Sequence, residues 1–201
     1  MIKVKNLAIL LIGLFASLGA TAQNGTYDVR LVTQQVDCEN NKVWVDLEIK
    51  ASTETELFLL ANQNYRLTYD DSAIKNPKIT KELTISGLVQ KDDKKAFFAP
   101  HTIVGTAGNL LSYNVFLQGG DGYPLEHDTW TAIGRLEFDI VNLEKCLKAT
   151  WHTRAKEHFP NSIIIGKEGE EYFLAKEGHY VEISDCFSNS CDPDRAAVDR
   201  P

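Results

Sequence analysis

The sequence predicts an all-β chain, a two-sheet antiparallel β-sandwich of immunoglobulin-like architecture behind an N-terminal leader. Three observations carry this expectation. Ile133 to Ile140 alternates strictly, with Leu136, Phe138 and Ile140 on one face and Arg135, Glu137 and Asp139 on the other. The same two-residue period recurs at Val43 to Ile49, Tyr65 to Tyr69 and Tyr113 to Leu117. After the leader, turn signals separate short strand-like runs, and none of them continues with a helical period over the roughly ten residues a helix needs.

Taken in order, residues 1–22 read as a signal peptide. Lys3 and Lys5 form a basic start, Leu7 to Phe15 an apolar segment, and Ala20-Thr21-Ala22 a small-residue cleavage site before Gln23. No Cys follows those small residues, which argues against a lipid anchor there. Residues 23–186 then form the sandwich domain, and residues 187–201 a tail or linker in which the apolar pattern stops. The domain's first strand is Tyr27 to Val32. Glu39-Asn40-Asn41-Lys42 is a turn, because Asn tolerates the left-handed backbone that tight hairpins demand. In the next strand, Lys42 to Ala51, the residues Val43, Val45, Leu47 and Ile49 point inward, which drives Trp44 outward among Asp46, Glu48 and Lys50.

Leu57 to Ala61 is strand or helical turn by its pattern alone. Asn62 to Asn64 lead into the strand Tyr65 to Tyr69, after which an Asp-led turn opens a single helical turn through Ile74, stopped by Pro77. Leu83 to Val89 reads as strand and Lys91 to Lys95 as a solvated loop. Phe97 to Val104 contains Pro100 and is edge strand or loop, and Gly105 and Gly108 mark a turn. Tyr113 to Leu117 is a strand ended by Gly119-Gly120-Asp121-Gly122, with Pro124 opposing an immediate return into a central ladder. After Ile133 to Ile140 come Leu147 to Thr153 and Ser162 to Ile165. Tyr172 to Ala175 and His179 to Ser184 then form a final hairpin with Glu177-Gly178 in its turn.

The 201 residues carry a formal net charge of -7, which opposes nucleic acid or anionic membranes as partners. No apolar run beyond the leader approaches the ~20 residues of a membrane span. All four cysteines, Cys38, Cys146, Cys186 and Cys191, follow the leader, an even number in a compartment where disulfides persist. Spacing favours Cys186 with Cys191 and Cys38 with Cys146. Zinc is the rival reading, weakened by the absence of a Cys-x-x-Cys knuckle.

Two pieces carry a family resemblance. Tyr65-Arg66-Leu67-Thr68-Tyr69 followed by Asp70-Asp71-Ser72-Ala73-Ile74, together with Ile133-Gly134-Arg135-Leu136-Glu137-Phe138, resembles cohesin-like and carbohydrate-binding-module-like sandwich domains of exported bacterial proteins. The chain also looks like the N-terminal module of secreted Bacteroidetes proteins. The resemblance covers about a third of the chain and implies a secreted, non-catalytic module that binds an extracellular glycan or a protein partner. A structural or assembly domain of a larger surface-delivered protein is the alternative.

Candidate sites follow from exposure and chemistry. Trp44 offers a flat stacking platform, and Phe116, outward by alternation, a second apolar surface; Asp121 in the glycine-rich loop after Phe116, and Tyr123 directly behind it, are further ligand candidates. Trp130 and Trp151 read as core or sheet-edge fillers. Asp70, Asp71 and Asp121 are calcium candidates, although the loop at Asp121 offers one carboxylate where a calcium loop spaces several, and Asp70 and Asp71 equally suit capping. Asp71-Ser72-Ala73 resembles an O-glycosylation acceptor at Ser72. His152 and His158 have neither helical nor strand pair spacing. There is no Gly-x-Ser-x-Gly, His-Glu-x-x-His or phosphate-binding glycine-lysine loop, and no cofactor is implied.

Overall fold

A computed structural model describes residues 25–52, 58–82, 97–98, 102–105, 108–118, 122–153, 162–166 and 173–191. The expected leader at 1–22, the strand at Leu83 to Val89 and the charged loop at Lys91 to Lys95 lie outside these residues. One sheet, here sheet A, has the order β14-β1-β2-β10-β4, made of β1 (Thr26–Asp37), β2 (Lys42–Ala51), β4 (Ile74–Glu82), β10 (Thr131–Ile140) and β14 (Lys176–Val181). Sheet B is built around β3 (Phe58–Tyr69). One side of β3 pairs with β11 (Cys146–Trp151) and β12 (Ser162–Gly166), and the other with β7 (Leu110–Val115) and β9 (Tyr123–Leu125). Further out in sheet B lie β6 (Thr102–Gly105), β13 (Phe173–Leu174) and β15 (Ile183–Cys186). A separate ladder joins β5 (Phe97–Phe98) to β8 (Leu117–Gln118).

The expected sandwich is therefore present, and its core is the one the alternation named. Val43, Val45, Leu47 and Ile49 of β2 and Leu136, Phe138 and Ile140 of β10 are buried opposite Tyr65, Leu67 and Tyr69 of β3. Tyr69 meets Phe138 edge-on between the sheets, with centroids 5.6 Å apart, a favoured ring geometry. Tyr65 and Gln63 are paired within the core: the Tyr65 hydroxyl donates to Gln63 Oε1 at 2.9 Å, and Gln63 Nε2 donates to the Ala61 carbonyl at 3.0 Å. Trp151 is 2% exposed and donates its indole N–H to the Val181 carbonyl at 3.0 Å, a core filler as expected.

Several expectations are corrected. Leu57 to Ala61 and Tyr65 to Tyr69 are not separate elements: Phe58 to Tyr69 form one strand. Its register with β12 slips between Gln63 and Leu60, so the inward parity changes from Tyr65, Leu67 and Tyr69 to Phe58 and Leu60. Pro77 stops no helix, since the Asp-led turn passes directly into β4. β4 is the outermost strand of sheet A, where a missing N–H costs no ladder bond, and Asn76 takes φ 53 beside it. Pro124 sits inside β9, paired on one side only, for the same reason. Glu177 and Gly178 are not a hairpin turn. They lie in β14, which pairs parallel to β1 in sheet A, while β13 and β15 on either side of it belong to sheet B. Among the described strand pairs, the others are antiparallel.

The cysteines pair as Cys38 with Cys191 and Cys146 with Cys186, not as spacing suggested. Cys146 and Cys186 are direct cross-strand partners of β11 and β15, a proximity created by strand pairing over a sequence separation of 40. Cys191 closes a short helix, α1 (Phe187–Cys191), whose Phe187 is 1% exposed. The boundary expected at residue 186 therefore moves to at least Cys191, because a buried aromatic and a disulfide tie those residues to the domain.

Candidate recognition surface

The outward residues of β1, β2 and β10 form a ladder of cross-strand ion pairs. Arg135 grips Asp46 with two parallel bonds, Nε to Oδ1 at 2.6 Å and Nη2 to Oδ2 at 2.8 Å, the forked geometry that suits guanidinium to carboxylate. The bond from Arg135 also holds that guanidinium's pKa above its ordinary value. Arg30 Nε donates to Glu48 Oε2 at 2.6 Å. Lys42 Nζ donates to Glu137 Oε1 at 2.9 Å and to Asp139 Oδ1. Lys50 Nζ donates to Asp128 Oδ1 at 3.0 Å, with Asp28 Oδ2 at 3.7 Å. These opposed charges follow from the register, which sets Arg135 beside Asp46 and Arg30 beside Glu48.

Two indoles punctuate the ladder. Trp44 lies on β2 between Gln35 and Glu137 and is half-buried on the outer face, where alternation placed it. Trp130 is not a core filler. The Arg30 guanidinium carbon lies 4.2 Å from its ring centroid and Lys50 Nζ 5.2 Å, so the ring sits on the same outer face and takes part in cation–π contacts. A β-bulge turns it there. The register of β10 against β2 shifts between Ala132 and Gly134, so even-numbered residues point inward after the bulge and outward before it. Alternation counted back from Leu136 and Phe138 sends Trp130 to the wrong side. Trp44 and Trp130 lie roughly 15–20 Å apart along the strands at about 3.3 Å per residue.

The other candidates do not join this face. Phe116 is outward and 48% exposed, but it follows β7 in sheet B, so it and Trp44 make no common patch. Tyr123 is half-buried and packs against the core, which removes its ring as an open platform. Asp121 lies outside the described residues, as does His158. Asp70 builds the turn: its Oδ1 accepts from the Ser72 N–H at 3.0 Å and from the Ser72 hydroxyl, bonds that hold its pKa below the ordinary carboxylate value. Ser72 also accepts from Lys145 Nζ. Asp70 thus serves the backbone-capping role, and Asp71 is exposed beside it. Among the described residues no group of three or more His, Cys, Asp or Glu is placed to hold a metal ion. His152 donates its backbone N–H to the Arg66 carbonyl at 3.0 Å. Sequence reasoning missed Arg30, Arg135 and Trp130 as members of one surface, since only strand order brings them together.

No protein-family model and no curated protein matches the chain. Among solved structures it is similar to the seventh ScaB type I cohesin from Pseudobacteroides cellulosolvens, with TM-score 0.45 and 12% identity over 78% of this chain and 89% of that one. It is also similar to a type II cohesin-X-dockerin complex from Acetivibrio cellulolyticus, with TM-score 0.48 and 9% identity over 78% of this chain and 98% of that one. A third similar structure is CaCohA2 from Clostridium acetobutylicum, with TM-score 0.44 and 15% identity over 82% of this chain and 93% of that one.

Proposed function

We propose that this chain is an exported, non-catalytic recognition module that binds a protein partner through the outer face of sheet A. The observation that carries the reading is the composition of that face: Trp44 and Trp130 with Arg30 and Arg135 on a five-stranded sheet. Trp and Arg are the residues that dominate protein interfaces energetically. Five strands about 4.8 Å apart and about ten residues long give a face of roughly 700 Å2, close to the ~800 Å2 a standard interface uses per partner. Export is supported by the pairing of all four cysteines in disulfides. A non-catalytic role is supported by the carboxylates of the ion-pair ladder, Asp28, Asp46, Glu48, Asp128, Glu137 and Asp139, each of which lies against a Lys or Arg. Asp128 and Asp139 are held below the ordinary carboxylate pKa, by the bonds from Lys50 and Lys42 respectively, which makes them poor general acids.

The test is affinity capture from an extracellular fraction by the oxidised chain and by Trp44→Ala, run beside a panel of insoluble polysaccharides. The expected result is a protein partner that binds the wild type and binds Trp44→Ala about tenfold more weakly, a loss of about 1.4 kcal/mol, with the thermal midpoint unchanged. A partner indifferent to Trp44→Ala, or retention on a polysaccharide that depends on Trp44, would overturn the reading.

A further inference from the structure

The last strands leave an opening at the side of the sandwich. β14 covers β1 only from Thr26 to Arg30, and the chain then crosses at Glu182 into sheet B as β15. Beyond Arg30 a groove of ≈ 380 Å3 lies between β1, β15 and α1, and the disulfide from Cys191 to Cys38 fastens α1 to the far end of β1. The groove is open to solvent, and Gln34, Gln35, Asp185, Asn189 and Ser190 are exposed along it. The walls are Thr33, Gln34, Gln35, Asp185, Asn189 and Ser190. Carboxamides and hydroxyls each donate and accept, and the one carboxylate adds acceptors.

The same lining discriminates among ligand classes. It contains no Lys or Arg, and Asp185 is its one charged side chain, so an anion would meet an uncompensated negative charge. Val36 is its one aliphatic side chain, too little for an apolar guest. An added strand is opposed as well, because Thr33 Oγ1 donates to Asp185 Oδ2 at 2.6 Å and so pins β1 to β15 across the space such a strand would occupy. That bond also orients the carboxylate before any ligand arrives. A dense set of neutral donors and acceptors around one fixed carboxylate matches adjacent hydroxyl groups, which donate and accept in turn.

We propose that this groove binds a neutral polyhydroxylated ligand, a sugar ring or the end of a glycan chain. The site is separate from the outer face of sheet A and stands independently of the protein-partner reading. The test is a titration of the isotope-labelled oxidised chain, followed by amide NMR, with glucose, galactose, mannose, xylose and their disaccharides, and with glucuronate as the anionic counterpart. The expected result is saturable shifts at Thr33 to Val36 and Ser184 to Ser190 with at least one neutral sugar, and weaker binding of glucuronate. Asn189→Ala, at an exposed position, and Asp185→Ala are each expected to weaken binding about tenfold, with Trp44→Ala unchanged. A tetrasaccharide binding as well as the single ring identifies a chain end; one that is excluded identifies a free sugar. Absence of saturable shifts with every sugar, shifts confined to the Trp44 face, or equal binding by a folded Asn189→Ala would overturn the proposal.

Discussion

Single residues decide how closely the two sheets approach. The Tyr113 ring is fully buried, and its hydroxyl donates to the Ile133 carbonyl at 3.0 Å, so β7 of sheet B reaches across the core to the backbone of β10 in sheet A. That reach needs a residue without a side chain at 134, since a Cβ there would stand 1.9 Å from the Tyr113 hydroxyl oxygen. The tyrosine ring is rigid and enclosed, so relief requires backbone movement. Gly134→Ala is therefore expected to destabilise the fold by about 1–3 kcal/mol, measured by denaturant unfolding. In a Tyr113→Leu background the added cost of Gly134→Ala should shrink, because the hydroxyl oxygen and the ring Cζ, 1.9 and 2.6 Å from that Cβ, are both gone; an unchanged cost would show that the bulge geometry, not the tyrosine, requires glycine. At a turn the same kind of argument favours Asn41, whose φ of 53 is the left-handed conformation expected from its side chain.

Strands show how the β4 edge and the charged face are kept in order. β4 ends sheet A with Pro77, a left-handed Asn76 and exposed Lys75 and Lys78, features that discourage pairing with another chain. Asn76 also donates from Nδ2 to Asp139 Oδ2 at 2.7 Å, which binds the edge strand to the ion-pair ladder. Asn76→Val should cost about 1–2 kcal/mol, since a β-branched residue resists the left-handed backbone; calorimetry of the variant checks this.

The ladder has a pH signature. The bond from Lys42, and then that from Asn76, keep Asp139 ionised below the usual carboxylate range, so on acidification the unfolded chain takes up a proton at this position before the folded chain does. The pair's stabilisation is therefore complete above about pH 4 and lost as pH falls through the lowered folded value. Lys42→Met should flatten the acid limb of a thermal-midpoint profile. Lys42 itself is held above its ordinary value, first by Asp139 and then by Glu137. Its contribution thus persists below about pH 10.4 and fades as pH rises through the raised folded value.

For the whole molecule, the disulfides act as long-range staples. Cys38 and Cys191 are separated by 153 residues and Cys146 and Cys186 by 40. On the loop-entropy estimate the first restrains the unfolded chain by roughly 5 kcal/mol and the second by roughly 4 kcal/mol. Replacing both members of the 38/191 pair by Ser should lower the unfolding free energy more than the same change at 146/186, as denaturant curves would register. Peptide mapping without reduction should recover Cys38 joined to Cys191. The first staple also holds α1 over the groove between β1 and β15, so its loss should disturb the amides of Asn189 and Ser190 together with stability.

Periodicity made the sandwich legible. Residues 42–51 and 133–140 alternate because a strand buries every second side chain, and that rule needs no knowledge of neighbours; Trp44 and Phe116 were placed outward by it. It does not carry across the bulge before Gly134 to Trp130 or along Phe58 to Tyr69, where a bulge or a register slip reverses parity without a mark in composition. The sequence by itself determined the long alternating strands at residues 43–49 and 133–140, which face of each is buried, and an even number of cysteines in an acidic chain. The tertiary structure alone decided which strands adjoin, and with that the disulfide pairing, the charge ladder that gathers Arg30, Arg135 and Trp130, and the groove between β1 and β15. The physical reason is that alternation is a local consequence of backbone geometry, whereas adjacency depends on contacts between residues far apart in the chain, whose free energy is settled only when the sheets pack.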